Sequence, residues 1–298
     1  MIKYLIVFLL SMACRCHGNS PYPFDYDLNI VTIPGTNGRT MVCLHGYGSN
    51  FQIAQILKMH KVTDSTLVSF NFPDHDIHLS QDHHAVSFGT IQELLPALYV
   101  LKQCIIDGGL TELDLYGFSA GGGAVVNVLG VLNTTLYDHE LLKIGIGAEE
   151  KKQLLSALQN GLVILDVPLK SVEEIIDFRG SSLPLEILAQ NYRSNQLRPI
   201  DSLERLQGLS LNILLYFQEP DEILSNRDDM LYIERLKQAN QKGNTEVVIG
   251  KEGSHTAIHP LLWQAYQQKL ESWGLASIFN NALSMTPAPN HPLKTCRV

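Results

Sequence analysis

The chain has 298 residues, of which 45% are apolar and 17% charged, and its formal net charge at pH 7 is -8. That composition belongs to a globular chain able to bury one sizeable core, and it excludes a disordered polymer. No dense Lys/Arg run occurs, so the acidic balance argues against a nucleic-acid partner and against general attraction to anionic membranes.

In chain order, the first element reads as a targeting segment. Lys3 supplies one positive charge, and Tyr4 to Met12 is apolar apart from Ser11. This run is too short to span a bilayer, and its layout is that of a secretory signal. Small residues at Ser11 and Ala13 place cleavage before Cys14, so residues 1–13 are expected to be removed on export. The segment also resembles a bacterial lipoprotein signal; a lipid on Cys14 would then be the one expected attachment to a membrane. Cys16 and Cys296 are candidates for a disulfide in an oxidising compartment. Cys43 and Cys104 fall in apolar segments and read as small core hydrophobes.

Beyond the leader, strand-like and helix-like segments alternate, and no internal repeat is present. Strands are expected at Leu28 to Ile33, Thr40 to Leu44, Thr66 to Phe70, Glu112 to Tyr116, Gly161 to Val167, Leu211 to Phe217 and Glu246 to Ile249. Helices are expected at Asn50 to His60, Thr90 to Ile106, Ala120 to Leu132, within 136–160, at Asp228 to Gln241 and at Ala257 to Trp273. Residues 169–208 hold helical pieces broken at Gly180, Pro184 and Pro199, and residues 283–298 read as a Pro-rich tail. The pattern predicts an α/β architecture: a mostly parallel central sheet with helices on both faces. In such sheets chemistry sits on loops after the carboxyl ends of strands.

The sharpest motif is Gly117-Phe118-Ser119-Ala120-Gly121, between a strand and a small-residue helix. A nucleophile on such a turn is crowded, and glycines two residues away on each side remove the clashing side chains. Its place at a helix N-terminus also favours developing negative charge. At these residues the chain resembles the α/β-hydrolase family, serine esterases and lipases among them, over about residues 28–275.

The resemblance implies a further set of roles. His45-Gly46-Tyr47-Gly48 looks like the family's oxyanion loop, which makes the backbone N–H groups of Tyr47 and Ala120 the oxyanion donors. His45 itself is read as structural. The family's order of Ser, then acid, then His gives Ser119 as nucleophile, Asp221 as acid and His255 as base. Glu219, Glu222 and Asp166 compete for the acid's role. Residues 169–208 would form a cap that shapes specificity.

The implied reaction is cleavage of a small-molecule or lipid ester, or a thioester, through an acyl-enzyme, with no cofactor. An acyltransferase or peptidase on the same fold is the alternative, and a non-catalytic binding protein a more distant one. Two metal readings are set aside. His255 and His259 have ligand spacing but no Glu follows His255. The run Asp74, His75, Asp76, His78, Asp82, His83 and His84 reads as a polar surface loop.

Overall fold

The computed structural model describes residues 28–73 and 89–275. Residues 1–13, Cys14, Cys16, Cys296, the polar run 74–84 and residues 283–298 lie outside the described residues.

Seven strands form one sheet: β1 (Val31–Ile33), β2 (Thr40–Leu44), β3 (Thr66–Ser69), β4 (Asp114–Phe118), β5 (Leu162–Asp166), β6 (Asn212–Gln218) and β7 (Asn244–Gly250). Their order across the sheet is β1-β3-β2-β4-β5-β6-β7. β1 runs antiparallel to β3, and every other neighbouring pair is parallel. Parallel neighbours need crossover connections, and helices supply them. These are α1 (Ile53–Met59), α2 (Ile91–Lys102), α3 (Ala120–Leu132), α4 (Asp138–Lys143), α5 (Ala148–Asn160), α6 (Val172–Arg179), α7 (Leu183–Ser194), the short α8 (Pro199–Ser202), α9 (Asp229–Ala239) and α10 (Pro260–Ser272).

Side chains alternate along each strand, so the apolar runs feed two cores. Val42, Leu44, Leu115, Val163, Leu165, Ile213 and Leu215 face α2, α3, α5 and α9. Met41, Cys43, Tyr116, Leu162, Ile164, Leu214 and Tyr216 face α1 and α10. This double covering is why the strands read as near-continuous apolar stretches. α3 is buried along its whole length, as its sequence Ala-Gly-Gly-Gly-Ala-Val-Val suggests.

Most elements fall where the sequence placed them, and the shifts have local causes. β4 begins at Asp114, two residues later than expected, and runs on to Phe118. The ladder with β2 pairs Met41 with Asp114 and Leu44 with Gly117, and the ladder with β5 pairs Phe118 with Asp166. The strand therefore delivers its last residue directly to Ser119. α2 continues into one wider π turn at Gln103–Asp107 before Gly108. Among the described residues no helix is long and apolar enough to cross a membrane.

Candidate active site

The carboxyl ends of β2, β4, β6 and β7 bring the expected residues together. Ser119 follows β4 with φ 54 and ψ -118, a positive φ that a non-glycine residue adopts only under constraint. Its N–H donates to the carbonyl of Asp166 at 2.9 Å, and its own carbonyl accepts from the N–H groups of Gly122, Gly123 and Leu169. The flanking glycines are sterically required. A Cβ on Gly117 would lie 2.4 Å from the Gly121 carbonyl oxygen, and a Cβ on Gly121 would lie 2.2 Å from that of Leu44. The strained turn is thus held by backbone approaches that no side chain permits.

His255 lies between Ser119 and Asp221. Its Nε2 is 2.9 Å from Ser119 Oγ, and its Nδ1 is 2.7 Å from Asp221 Oδ2. A carboxylate only accepts, so Nδ1 carries the proton and the Nε2 lone pair faces the serine hydroxyl. Asp221 Oδ1 accepts the N–H groups of Ile223 at 2.7 Å and Leu224 at 2.8 Å. Burial pushes the Asp221 carboxyl up, but the hydrogen bonds from His255, Leu224 and Ile223 outweigh it and hold the group below its ordinary range. The Phe118 ring lies 5.4 Å from that of His255.

The three competing carboxylates have other tasks. Glu219 is exposed and pairs with Lys251. Glu222 accepts the backbone N–H of His255 at 2.8 and 3.0 Å, so it holds that residue's main chain rather than its ring. Asp166 binds His259 at 2.7 Å and accepts the Tyr116 hydroxyl at 2.8 Å.

The loop after β2 lies against the serine turn. A Cβ on Gly46 would stand 3.0 Å from the Phe118 ring and 3.2 Å from Ser119 Cβ. Tyr47 sits on this loop with an exposed ring, and Ala120 is the first residue of α3. His45 is buried; its Nδ1 donates to the Gly46 carbonyl at 2.8 Å, and its Nε2 accepts the Phe72 N–H at 3.2 Å. Burial lowers its pKa to about 4, so the ring is neutral at pH 7 and fixes the loop, in keeping with a structural part.

Sequence reasoning missed two charged clusters around the site. One is the Asp166–His259 pair. The other is Lys170, buried beside Glu174 at 2.7 Å and Asp229, with its ammonium also donating to the Ser225 carbonyl at 2.8 Å. Asp229 in turn accepts from Asn226 at 2.9 Å, and Asn226 accepts the Asp221 N–H at 3.2 Å, which ties the cluster to the Asp221 loop. Its one local signal was the spacing Lys170-x-x-x-Glu174. Among the described residues no group of three or more His, Cys, Asp or Glu is placed to hold a metal ion.

A seven-stranded, mostly parallel sheet covered on both faces, with a serine on a strained strand-to-helix turn, is the α/β-hydrolase fold. Solved structures agree. A carboxylesterase from Lactobacillus plantarum WCFS1 is similar with a TM-score of 0.57 at 16% identity, over 83% of this chain and 93% of its own. A lipase/esterase from Lactobacillus plantarum gives 0.55 at 16% identity, over 80% and 87%. An acylaminoacyl peptidase from Pyrococcus horikoshii gives 0.56 at 15% identity; 91% of this chain matches 43% of that one. No protein-family model matches the chain, and no curated protein matches it in sequence.

Proposed function

We propose that the chain is a serine hydrolase that cleaves a carboxylic ester or thioester through an acyl-enzyme on Ser119. The observation that carries this reading is the continuous hydrogen-bonded series Ser119 Oγ, His255 Nε2, His255 Nδ1, Asp221 Oδ2.

In the first step His255 Nε2 takes the hydroxyl proton as Ser119 Oγ attacks the carbonyl carbon. Asp221 stabilises the imidazolium that forms. The carbonyl oxygen becomes an oxyanion, to which the backbone N–H groups of Tyr47 and Ala120 donate. Collapse of this intermediate breaks the bond to the leaving group, which receives the proton from His255. Water then repeats the sequence on the acyl-enzyme and releases the acid and the free serine. No step requires a cofactor.

Residues 169–208, which hold α6, α7 and α8, are proposed to cap the site and set substrate choice. Small-molecule or lipid esters are the proposed substrates, and residues 1–13 are proposed to direct export.

The test is labelling with a fluorophosphonate probe. Wild type is expected to label and Ser119→Ala is not. Labelling that survives the substitution would overturn the assignment of Ser119. A panel of short- and long-chain esters with an added alcohol acceptor then separates hydrolysis from acyl transfer.

A further inference from the structure

A second Asp–His pair stands behind the first. His259 is buried at the start of α10. Its Nδ1 lies 2.7 Å from Asp166 Oδ1, and its Nε2 lies 3.0 Å from the Ser254 carbonyl oxygen. Both partners only accept, so both ring nitrogens carry protons and the ring is an imidazolium. The ring stacks on Tyr216, with centroids 4.4 Å apart and planes 24° from parallel.

Each end of this pair touches the proposed catalytic machinery through the main chain. Ser254 immediately precedes His255. The Asp166 carbonyl accepts the Ser119 N–H at 2.9 Å. Asp166 is also followed by Val167, whose φ of 42 is rare for a β-branched residue. Such strain persists only where surrounding contacts over-determine the backbone. Here the Val167 N–H is held by the Tyr216 carbonyl at 3.0 Å, and the Asp166 side chain by Tyr116 and His259.

We propose that the Asp166–His259 ion pair is a positioning device: the charged ring grips the Ser254 carbonyl and so sets the approach of His255 to Ser119. The inference rests on the catalytic reading above. His259 is a positioning residue, since it touches neither reacting atom.

The groups facing His259 are Asp166 from β5, Tyr116 from β4 behind that carboxylate, Tyr216 from β6 and, farther off, Asp221 from the acid's loop. Burial opposes the charge. The hydrogen bond and charge of Asp166, the Ser254 carbonyl and Asp221 outweigh burial and hold the imidazole above its ordinary range. The consequence has a definite sign. Below its raised pKa the ring makes both bonds. As pH rises through that pKa one N–H is lost; Asp166 keeps the other, and Ser254 is released. Activity should therefore fall on the alkaline side as the base's loop loosens.

The experiment compares wild type with His259→Phe, His259→Gln and Asp166→Asn, each first checked for folding by thermal melting. The readouts are the fluorophosphonate labelling rate of Ser119 and kcat and KM for an ester across pH. Phe keeps the stack on Tyr216 and removes both hydrogen bonds, while Gln keeps a neutral donor. Both His259 variants are expected to label and turn over roughly 10- to 100-fold more slowly, with KM changed by less than about threefold. Both should lose the alkaline limb. Asp166→Asn keeps the polar contacts but removes the charge, and should move that limb to lower pH. In wild type, imidazole nitrogen NMR should show two protonated ring nitrogens on His259 at pH 6.

Folded His259 variants with wild-type kcat and an unchanged alkaline limb would overturn the inference, as would a singly protonated His259 at pH 6. Wild type that takes no fluorophosphonate overturns the catalytic reading itself. The two failures are distinct, because only the first leaves wild-type labelling intact.

Discussion

Both ends of the central strands bury a carboxylate, and the two are used in opposite ways. At the amino end Asp114 accepts from Arg39 Nε at 3.0 Å and from Arg39 Nη2, from the Leu162 N–H at 2.9 Å and from the Tyr266 hydroxyl at 3.2 Å. At the carboxyl end Asp221 accepts two backbone N–H groups and His255. The Arg39 guanidinium, with Asp114 beside it, stays protonated at any working pH. The partner at Asp221 is an imidazole whose other nitrogen faces Ser119. A carboxylate paired with a fixed charge is a clamp. At Asp221 the paired ring keeps its other nitrogen open towards Ser119, whereas at Asp166 both ring nitrogens of His259 are already taken. On the proposed mechanism, the partner and not the carboxylate separates the two sites.

That contrast can be broken by experiment. The largest effect is expected from Asp221→Asn, which permits the wrong imidazole tautomer; kcat should fall by about 10⁴-fold while the urea midpoint moves little. Asp114→Asn should do the reverse. It leaves Arg39 buried without its main counter-ion, at a cost of about 3–5 kcal/mol by urea unfolding, while kcat per folded molecule stays within about twofold of wild type. Equal losses of activity in the two variants would collapse the distinction.

Two smaller effects concern buried titratable groups outside the Ser119–His255–Asp221 series. Glu93 is fully buried beside the Gly89 N–H, and burial raises its pKa to about 8. A carboxyl raised on folding stabilises fully below its unfolded pKa, and that contribution is lost as pH climbs to the folded value. Glu93→Gln mimics the protonated acid. It should remove a fall in wild-type stability on the order of 3 kcal/mol between pH 5 and 7. His45 works with the opposite sign. Its folded pKa is depressed, so stability is present above the unfolded value and is lost as pH falls towards about 4. His45→Gln should flatten a loss on the order of 2 kcal/mol between pH 7 and 5. Both checks are urea titrations of wild type and variant at the two pH values.

The contrast also marks what the sequence could disclose. Ser119 was legible because its constraint is local: five residues, a preceding strand and a following helix. His255 was legible from its place between the last strand and the last helix. Asp221 was one of several acidic residues, since linear order does not say which carboxylate faces Nδ1. That choice depends on Glu222 being drawn to the His255 backbone and Glu219 to Lys251. The Asp166–His259 pair was illegible for a stronger reason. Its members are 93 residues apart, and they meet only because α10 packs on the face of the sheet where β5 ends. His259 therefore read as a neighbour of His255 at ligand spacing. The strands were readable because burial on both faces leaves continuous apolar runs; the pieces between β5 and β6 carry no comparable signature.

The series from Ser119 to His255 spans 136 residues, and Arg39 closes a still wider loop by binding the Leu275 carbonyl at 2.6 Å. A chain emerging from synthesis therefore carries Ser119 well before His255 exists. The hydrogen bond between Ser119 and His255 forms only after both β4 and the segment just before α10 have been made. On the proposed mechanism, a chain that stops before His255 is expected to be inactive, because Ser119 Oγ then lacks its ring partner.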